Sequence, residues 1–282
     1  MQTALLSFLL FAVLAMPGGD GVHPQLALRH QRSSPQDLEI SGDLAGFVTY
    51  ADLMKLPQTR FSARGDANFP HGAELSGVSL DDLIRSLGGS LSGELVAAVC
   101  DDGYEAHYTS EYRSAHQPYL VLSINGRQPG GWGKIGDGSY RPYLISHAGF
   151  TPAFRIVSHP DEPQIPYGVV ELKLMRQDTV LNALRPAAEG LADSPERKGY
   201  EIAFQNCLRC HNDGAIGGRK SGVDWQTVAR EANRDPAGFR ALIRDPQSRN
   251  RSASMPANPQ YDTQTLQALT AYFQAFHSGR NR

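Results

Sequence analysis

The sequence predicts an α+β protein in which a mainly β N-terminal domain is followed by an all-α domain. Short apolar runs of strand length, such as Leu95–Val99 and Tyr119–Ile124, occur only in the first two thirds of the chain. From Ser194 onward the apolar residues recur at helical spacing instead, most clearly between Asp262 and His277. The change of period marks two units with different architectures.

Length and composition bound what the chain can be. Its 282 residues suffice for two modest domains, and 40% hydrophobic with 20% charged residues is ordinary for a globular protein. The formal net charge is −2, and the 27 Lys and Arg residues are scattered, so the charge pattern favours neither nucleic acid nor an anionic membrane as a partner. Three cysteines are too few for a disulfide framework.

The first 22 residues resemble a secretory signal peptide. Ala4 to Met16 is an almost unbroken apolar run that ends in Pro and Gly, and it is too short to span a bilayer. No Lys or Arg precedes it, so an uncleaved anchor and a misassigned start codon remain alternatives. We expect an exported, periplasmic protein without a stable membrane span once the signal is removed. The polar stretch from Asp20 to Gln36 reads as a linker.

Residues 37–177 carry the signals of the first domain. Ser79 is a predicted N-cap for a helix over Leu80–Leu87, with Gly88 as its stop. Asn125-Gly126 after the second apolar run is a turn signal, and Val170–Met175 alternates as a half-exposed strand would. The domain is therefore predicted to be mainly β with short helices.

A boundary falls near Arg185–Asp193, and residues 194–279 form the predicted helical domain. Ser194 can cap a helix that starts with Pro195, because proline suits the first helical position. In the last helix, one apolar stripe joins five residues: Leu266, Leu269, Tyr272, Phe273 and Phe276.

The strongest motif is Cys207-Leu208-Arg209-Cys210-His211, a CxxCH sequence typical of covalent haem attachment. Two thiols on one helical turn can each bond a haem vinyl group, and the adjacent His211 can then supply the proximal nitrogen to iron. A thioredoxin-like redox pair would need a βαβ context, and a zinc site would need a second pair of ligands. Neither is found in this segment, so haem is the preferred interpretation.

Met255 is the predicted ligand on the opposite face of the haem. It is the only methionine after the motif, and it precedes Pro256 in a polar loop before the last helix. Methionine is a common sixth ligand of cytochrome haems, and the following proline stiffens the backbone. His277 is the alternative ligand.

With these residues in place, Ser194 to Gly279 resembles a class I cytochrome c. The resemblance rests on Gly199-Tyr200, the CxxCH motif, a middle helix near Pro236–Arg244, the Met-Pro loop and the aromatic final helix. It implies crossed first and last helices, one covalent haem c on Cys207 and Cys210, and attachment of the haem outside the bacterial cytoplasm. One departure is that Asn212 and Asp213 separate the histidine from the next glycine.

The first domain resembles, more weakly, the molybdopterin-binding domain of the sulfite oxidase family. The similar motifs are Gly77 to Leu83, Asp102-Gly103-Tyr104, Leu120 to Gly126 and Tyr140-Arg141-Pro142-Tyr143. The resemblance implies a cysteine on molybdenum in the segment before the helix, yet Phe61–Phe69 has none.

Cys100 is the one thiol of this domain, and it is expected to be a buried apolar residue rather than a metal ligand. The spacing of four histidines also fits no metal template, so we expect them to be ordinary hydrogen-bonded or surface residues: His107, His116, His147 and His159.

Two functional hypotheses follow, with a third as a minor alternative. The first is an electron carrier whose N-terminal domain docks a partner dehydrogenase or another cytochrome. The second is a sulfite dehydrogenase-like enzyme that binds molybdopterin and passes electrons internally to the haem. A haem-bearing sensor would need an open coordination site, which Met255 argues against. The missing cysteine favours the first hypothesis, while catalysis and substrate stay undetermined.

Overall fold

The computed structural model describes residues 24–64, 66–129, 131–132, 143–151, 155–157, 159–186 and 193–280. The predicted signal peptide and the motif residues Tyr140, Arg141 and Pro142 lie outside these ranges, as do the side chains of His159 and His277. The sheet part (residues 24–176) and the helical part (residues 193–280) are joined by one helix and confirm the predicted mixture of β and α architecture.

The sheet part consists of short strands and short helices. Its elements in chain order are β1 (Leu38–Gly42), β2 (Gly46–Val48), α1 (Tyr50–Leu53), β3 (Thr59–Ala63), β4 (Ala73–Ser79), α2 (Leu80–Ser86), β5 (Glu94–Cys100), β6 (Glu105–Tyr108), α3 (Ser110–His116), β7 (Pro118–Ile124), β8 (Tyr143–His147), β9 (Arg155–Ile156), β10 (His159–Pro160) and β11 (Tyr167–Arg176).

Nine of the described strands form one mixed sheet around β11. Strand β11 pairs with β1 in parallel and with β5 and β8 antiparallel, and the order continues through β7 and β4 to β3. Strand β6 extends the sheet beyond β5. The predicted cap of α2 is confirmed, because the Ser79 Oγ accepts from the Asp82 amide at 3.0 Å and Gly88 follows with φ +80°.

Strand β5 reads as a continuous apolar run because both of its faces are covered. Val96 and Ala98 point into the main core of the sheet part, whereas Leu95 and Ala97 on the other face pack with Val180 of the joining helix. All five side chains are almost fully buried. This is the pattern expected of a strand with two packed faces, and it places the β5–β6 hairpin between the two parts of the chain.

The predicted linker is partly folded onto the sheet part. The Leu26 amide donates to the Ser86 carbonyl at 2.8 Å, and Arg29 bridges Phe47 in an antiparallel manner. Leu26 and Leu28 also pack against the main core. The expectation of a free linker up to Gln36 is therefore wrong from residue 24 onward, since two leucines gain burial there.

Helices dominate the rest of the chain. They are α4 (Gln177–Leu184), α5 (Pro195–Ile202), a π-helical segment (Ala203–Cys207), α6 (Trp225–Arg234), α7 (Pro236–Arg244), α8 (Pro246–Arg249) and α9 (Thr263–Arg280), with a minimal hairpin of β12 (Asn212–Asp213) and β13 (Ile216–Gly217). The predicted cap of α5 is confirmed by a 3.2 Å bond from the Arg197 amide to the Ser194 Oγ. No helix in the described ranges is both long and apolar enough to cross a membrane.

Helices α5 and α9 pack against each other through Gly199. A Cβ at this position would overlap the Ala268 carbonyl oxygen and lie 2.7 Å from the Cβ of Tyr272, so the helices approach as closely as backbone allows. The buried Tyr272 hydroxyl accepts from Trp225 Nε1 at 3.0 Å and donates to the Leu184 carbonyl at 2.7 Å. These bonds join α9, α6 and the end of α4 around one apolar cluster.

Candidate haem-binding site

The CxxCH segment forms a tight turn at the end of the π-helical segment. The amides of Cys210 and His211 both donate to the Cys207 carbonyl, at 3.1 and 3.0 Å. Leu208 is fully buried in the apolar cluster of the helical part and anchors the turn. Cys207, Cys210 and His211 are thereby brought to one place, with both thiols free of disulfide bonds.

His211 is held in the tautomer that a metal ligand requires. Its Nδ1 lies 2.7 Å from the Val223 carbonyl oxygen and 2.9 Å from the Ser221 Oγ. A carbonyl can only accept, so Nδ1 carries the proton and Nε2 keeps its lone pair. Burial also lowers the pKa of this imidazole, although the Val223 carbonyl opposes the shift, so the neutral form is favoured.

The two cysteines do not have the properties of a redox-active CxxC pair. Burial raises the pKa of Cys207 to about 12 and also raises the pKa of Cys210. A thioredoxin-like pair needs at least one thiol with a lowered pKa, so that a thiolate is present near neutral pH. These thiols therefore lack the lowered pKa that thiol–disulfide exchange requires.

Met255 lies in a supported loop against the same apolar cluster as Cys207. Gln247 Nε2 donates to the carbonyls of Ala253 and Met255, at 3.0 and 2.8 Å. Asn258 Nδ2 donates to the Pro256 carbonyl at 3.2 Å. The side chain is half-buried and the loop around it is exposed, which suits a thioether that faces inward from a surface loop.

The residues present therefore fit a covalent haem. Two free thiols on one turn, an imidazole with an available Nε2 and a thioether in the same apolar cluster form the donor set of a c-type haem. Sequence reasoning missed Ser221 and Val223, which orient His211. They contact His211 only because of the conformation of the loop, and no sequence motif predicts that conformation.

The sheet part contacts this turn directly through the β5–β6 hairpin. The Glu105 amide donates to the Arg209 carbonyl at 2.9 Å, and the Arg219 amide donates to the Gly103 carbonyl at 2.8 Å. Lys220 Nζ forms an ion pair with Asp102 Oδ2 at 2.6 Å. The segment that would carry the haem is thus fixed to the sheet part by backbone hydrogen bonds.

Behind this contact lies a buried polar network. Glu105 accepts from Lys173 Nζ at 2.8 Å and lies 2.9 Å from His107 Nε2. Although burial opposes ionisation, the hydrogen bond and charge of His107 together with Lys173 lower the pKa of Glu105 to about 2. The ring of His107 also packs against Phe204, 5.8 Å between centroids, just before the haem-attachment turn.

Three of the four histidines singled out in the sequence, His107, His116 and His147, are buried and hydrogen-bonded. His116 Nε2 lies 2.9 Å from Asp161 Oδ2, and His147 Nε2 lies 3.1 Å from the Tyr112 hydroxyl. Burial lowers the pKa of His147 to about 3, with a further contribution from His116. Within the described ranges, no three His, Cys, Asp or Glu side chains are placed to hold a metal ion.

The described residues do not fit a molybdenum site of the expected kind. Cys100 is 3% exposed and lies within the apolar core at the end of β5. In the segment where a cysteine is expected, Asp66 instead accepts a 2.6 Å hydrogen bond from Ser146. The sheet part thus offers no accessible thiolate among its described residues.

Comparison with known proteins identifies the helical part. Residues 194–273 match the family model described as cytochrome C oxidase, cbb3-type, subunit III. This region is therefore a cytochrome c domain, which implies haem c and a role in electron transfer. The match covers less than a third of the chain and does not include the sheet part.

Two further comparisons concern the whole chain. No curated protein matches it. Among solved structures, it is similar to the sulfane dehydrogenase SoxCD from Paracoccus pantotrophus, with 18% identity and a TM-score of 0.35. The similarity covers 52% of this chain and 40% of that chain.

Proposed function

We propose that this protein is an exported one-electron carrier. Cys207 and Cys210 would hold one haem c, with His211 and Met255 on the two axial positions, as in class I cytochromes c. The bond from His211 Nδ1 to the Val223 carbonyl carries this proposal, because it frees Nε2 at the one position where CxxCH needs a ligand. A bound haem supplies the Fe(III)/Fe(II) couple.

The chain's own residues orient, bury and shield the site. Ser221 and Val223 orient the imidazole, and Gln247 and Asn258 fix the loop of Met255. The aromatic cluster around Tyr272 excludes water from the interior of the helical part. The apolar run before residue 17 and the external attachment of haem c support a periplasmic location. The sheet part would serve as a body on which a redox partner protein docks.

The test is a metal and haem analysis of protein purified from an export-competent host, together with ligand variants. Iron at one per chain with a low-spin haem spectrum, and no molybdenum, is the expected result. Met255→Ala should lower the midpoint potential and open the iron to carbon monoxide, whereas Met54→Ala, on the surface of the sheet part, should do neither.

The proximal ligand is tested in the same way. His211→Ala should abolish the low-spin spectrum, and His71→Ala, also exposed, should leave it unchanged. A low-spin spectrum that survives in His211→Ala, or an unchanged potential in Met255→Ala, would remove that residue from the ligand set.

One observation favours a second function, a molybdenum-dependent oxidoreductase that passes electrons internally. The hairpin residue Glu105 bonds Arg209 within the haem-attachment turn, which is the proximity that internal transfer needs. The burial of Cys100 opposes this function. Stoichiometric molybdenum in the purified protein would decide for it, and sulfite would then be the first substrate to test.

A further inference from the structure

The guanidinium of Arg209 lies at the contact between the two parts of the chain, between the two haem-attaching cysteines in sequence. Its Nε and Nη2 atoms are shielded from solvent and have no hydrogen-bond partner among the described residues. Two of the three guanidinium nitrogens are therefore shielded from solvent without a hydrogen bond, although the side chain as a whole is only half-buried.

The groups nearest to Arg209 include one carboxylate, which offsets part of its charge. Tyr104, Glu162, Tyr112 and Tyr108 interact with it most strongly. Burial raises the pKa of all three tyrosines, so their hydroxyls stay neutral at any physiological pH. Glu162 is the carboxylate in this set. A guanidinium does not lose its proton in proteins, so the positive charge is permanent.

A permanent charge in a water-poor contact acts over a longer range than an exposed one. Its interaction with another charge is weakened neither by bulk water nor, to the same degree, by salt. Reduction of a ferric centre adds one negative charge, and a nearby cation stabilises the product. The direction of the effect on an attached iron centre is thus fixed by the sign of the charge.

We propose that Arg209, partly shielded from solvent at the contact with the β5–β6 hairpin of the sheet part, raises the reduction potential of the haem held by Cys207 and Cys210. This inference rests on the proposed function, since it concerns the same site. It assigns the sheet part a role in setting the potential of the helical part, in addition to any role in docking. Arg209 is a positioning charge and ligates nothing.

If Arg209 only stabilised the fold, its replacement would lower the free energy of unfolding together with the potential. Two guanidinium nitrogens lack partners in the described part of the chain, so the side chain contributes little through hydrogen bonds. Glu162 is half-buried and can be hydrated once the guanidinium is gone, so replacement of Arg209 by an apolar residue of similar volume leaves no fully buried charge behind and should change stability little. The potential and the stability of an Arg209→Met variant should therefore change independently.

The experiment compares Arg209→Met, Arg209→Lys and the control Arg219→Met in the full chain. Arg219 is exposed and only ten residues away, so it controls for a general loss of positive charge. Midpoint potentials are measured by spectroelectrochemistry at about 0.05 and 0.5 M salt. Urea unfolding of the haem-loaded protein, followed by circular dichroism, measures stability separately from the potential.

The Arg209→Met variant should shift the Fe(II)/Fe(III) ratio at fixed potential by about tenfold or more, a fall of about 59 mV. The shift should persist at high salt, and Arg209→Lys should retain part of the wild-type value. Arg219→Met should give a small shift that salt removes. The urea midpoint of Arg209→Met should equal or exceed that of the wild type.

An Arg209→Met potential within the range of Arg219→Met refutes the inference, and so does a urea midpoint that falls with the potential. Wild-type protein without haem refutes the proposed function and this inference together. Haem of normal spectrum with an unchanged Arg209→Met potential refutes this inference alone.

Discussion

The close approach of helices α5 and α9 makes Gly199→Ala an informative perturbation. A Cβ at Gly199 would overlap the carbonyl oxygen of Ala268 and come within 2.7 Å of the Tyr272 Cβ. The overlapping atom is backbone inside a long helix, so it cannot move by a change of rotamer. The two helices must separate, and the aromatic cluster around Tyr272 and Phe273, both fully buried, must follow.

Two opposing terms decide the sign of the effect. Alanine is favoured over glycine in a helix interior by about 1 kcal/mol. Overpacking a well-packed contact costs about 1–3 kcal/mol, and the separation also loosens the buried aromatic residues. Because the clash is with backbone, we expect the upper half of that range to apply. The net expectation is a loss of about 1–2 kcal/mol in the free energy of unfolding of the helical part.

Urea unfolding followed by far-ultraviolet circular dichroism and by Trp225 fluorescence measures this loss. Ala241→Gly, on the exposed face of α7, isolates the propensity term in the same part of the chain and should cost about 1 kcal/mol. Gly199→Ala protein that is as stable as the wild type, or more stable, would show that the helices can separate freely. The explanation of Gly199 as a contact residue would then be wrong.

Two further predictions concern the contact between the parts. The pKa of Glu105 is lowered to about 2 from 4.5, so its ionisation stabilises the fold above pH 4.5, and this stabilisation is lost as pH falls toward 2. Between these limits the wild-type protein should lose roughly 3 kcal/mol of its free energy of unfolding through this group. The urea midpoint of Glu105→Gln should vary less with pH, and parallel profiles for the two proteins would contradict this prediction. The exposed ion pair of Lys220 and Asp102 should contribute about 1 kcal/mol or less to the free energy of unfolding, and the effect of Lys220→Met should vanish in high salt. A loss of stability that salt does not change would mean that the aliphatic part of Lys220 matters and its charge does not.

The features that sequence could predict are those encoded by adjacent residues. The caps at Ser79 and Ser194, the helix Pro236–Arg244 and the turn at Asn125-Gly126 appear where local chemistry places them. Each depends on a side chain that bonds its own backbone within three residues, or on a backbone angle that few residues adopt. Such signals need no knowledge of the rest of the fold.

Helix α6 has a local cap, since Asp224 accepts from the Thr227 amide at 2.7 Å, but its apolar stripe is weak. Its buried side chains are Trp225, Ala229 and Ala232, and alanines contribute little to an apolar stripe. Its helical stability comes from packing, since Trp225 contacts Phe273 at 5.0 Å between ring centroids and bonds the Tyr272 hydroxyl. Those partners lie far along the chain and meet Trp225 only in the folded protein. A local pattern of residues therefore could not predict this packing.

The contact between the parts is the least predictable feature, because much of it is made by backbone. The carbonyl of Gly103 accepts from Arg219, and the Arg209 carbonyl accepts from Glu105. A Cβ at Gly218 would overlap the Arg209 carbonyl oxygen and lie 3.0 Å from the Gly103 carbonyl oxygen. Backbone contacts produce no apolar or charged pattern in the sequence. A glycine at the point of close approach is the sequence feature that accompanies them here.

The contact with the sheet part would be lost if the helical part were expressed alone. Arg209 would then be solvated, and the packing against Leu95 and the bond to Glu105 would be missing, although every predicted haem ligand would remain. A cytochrome c domain cut from the chain should therefore bind haem with the normal spectrum and yet have a lower potential than the full chain. A lower potential with an unchanged spectrum would separate the contribution of the proposed ligands from that of the neighbouring sheet part.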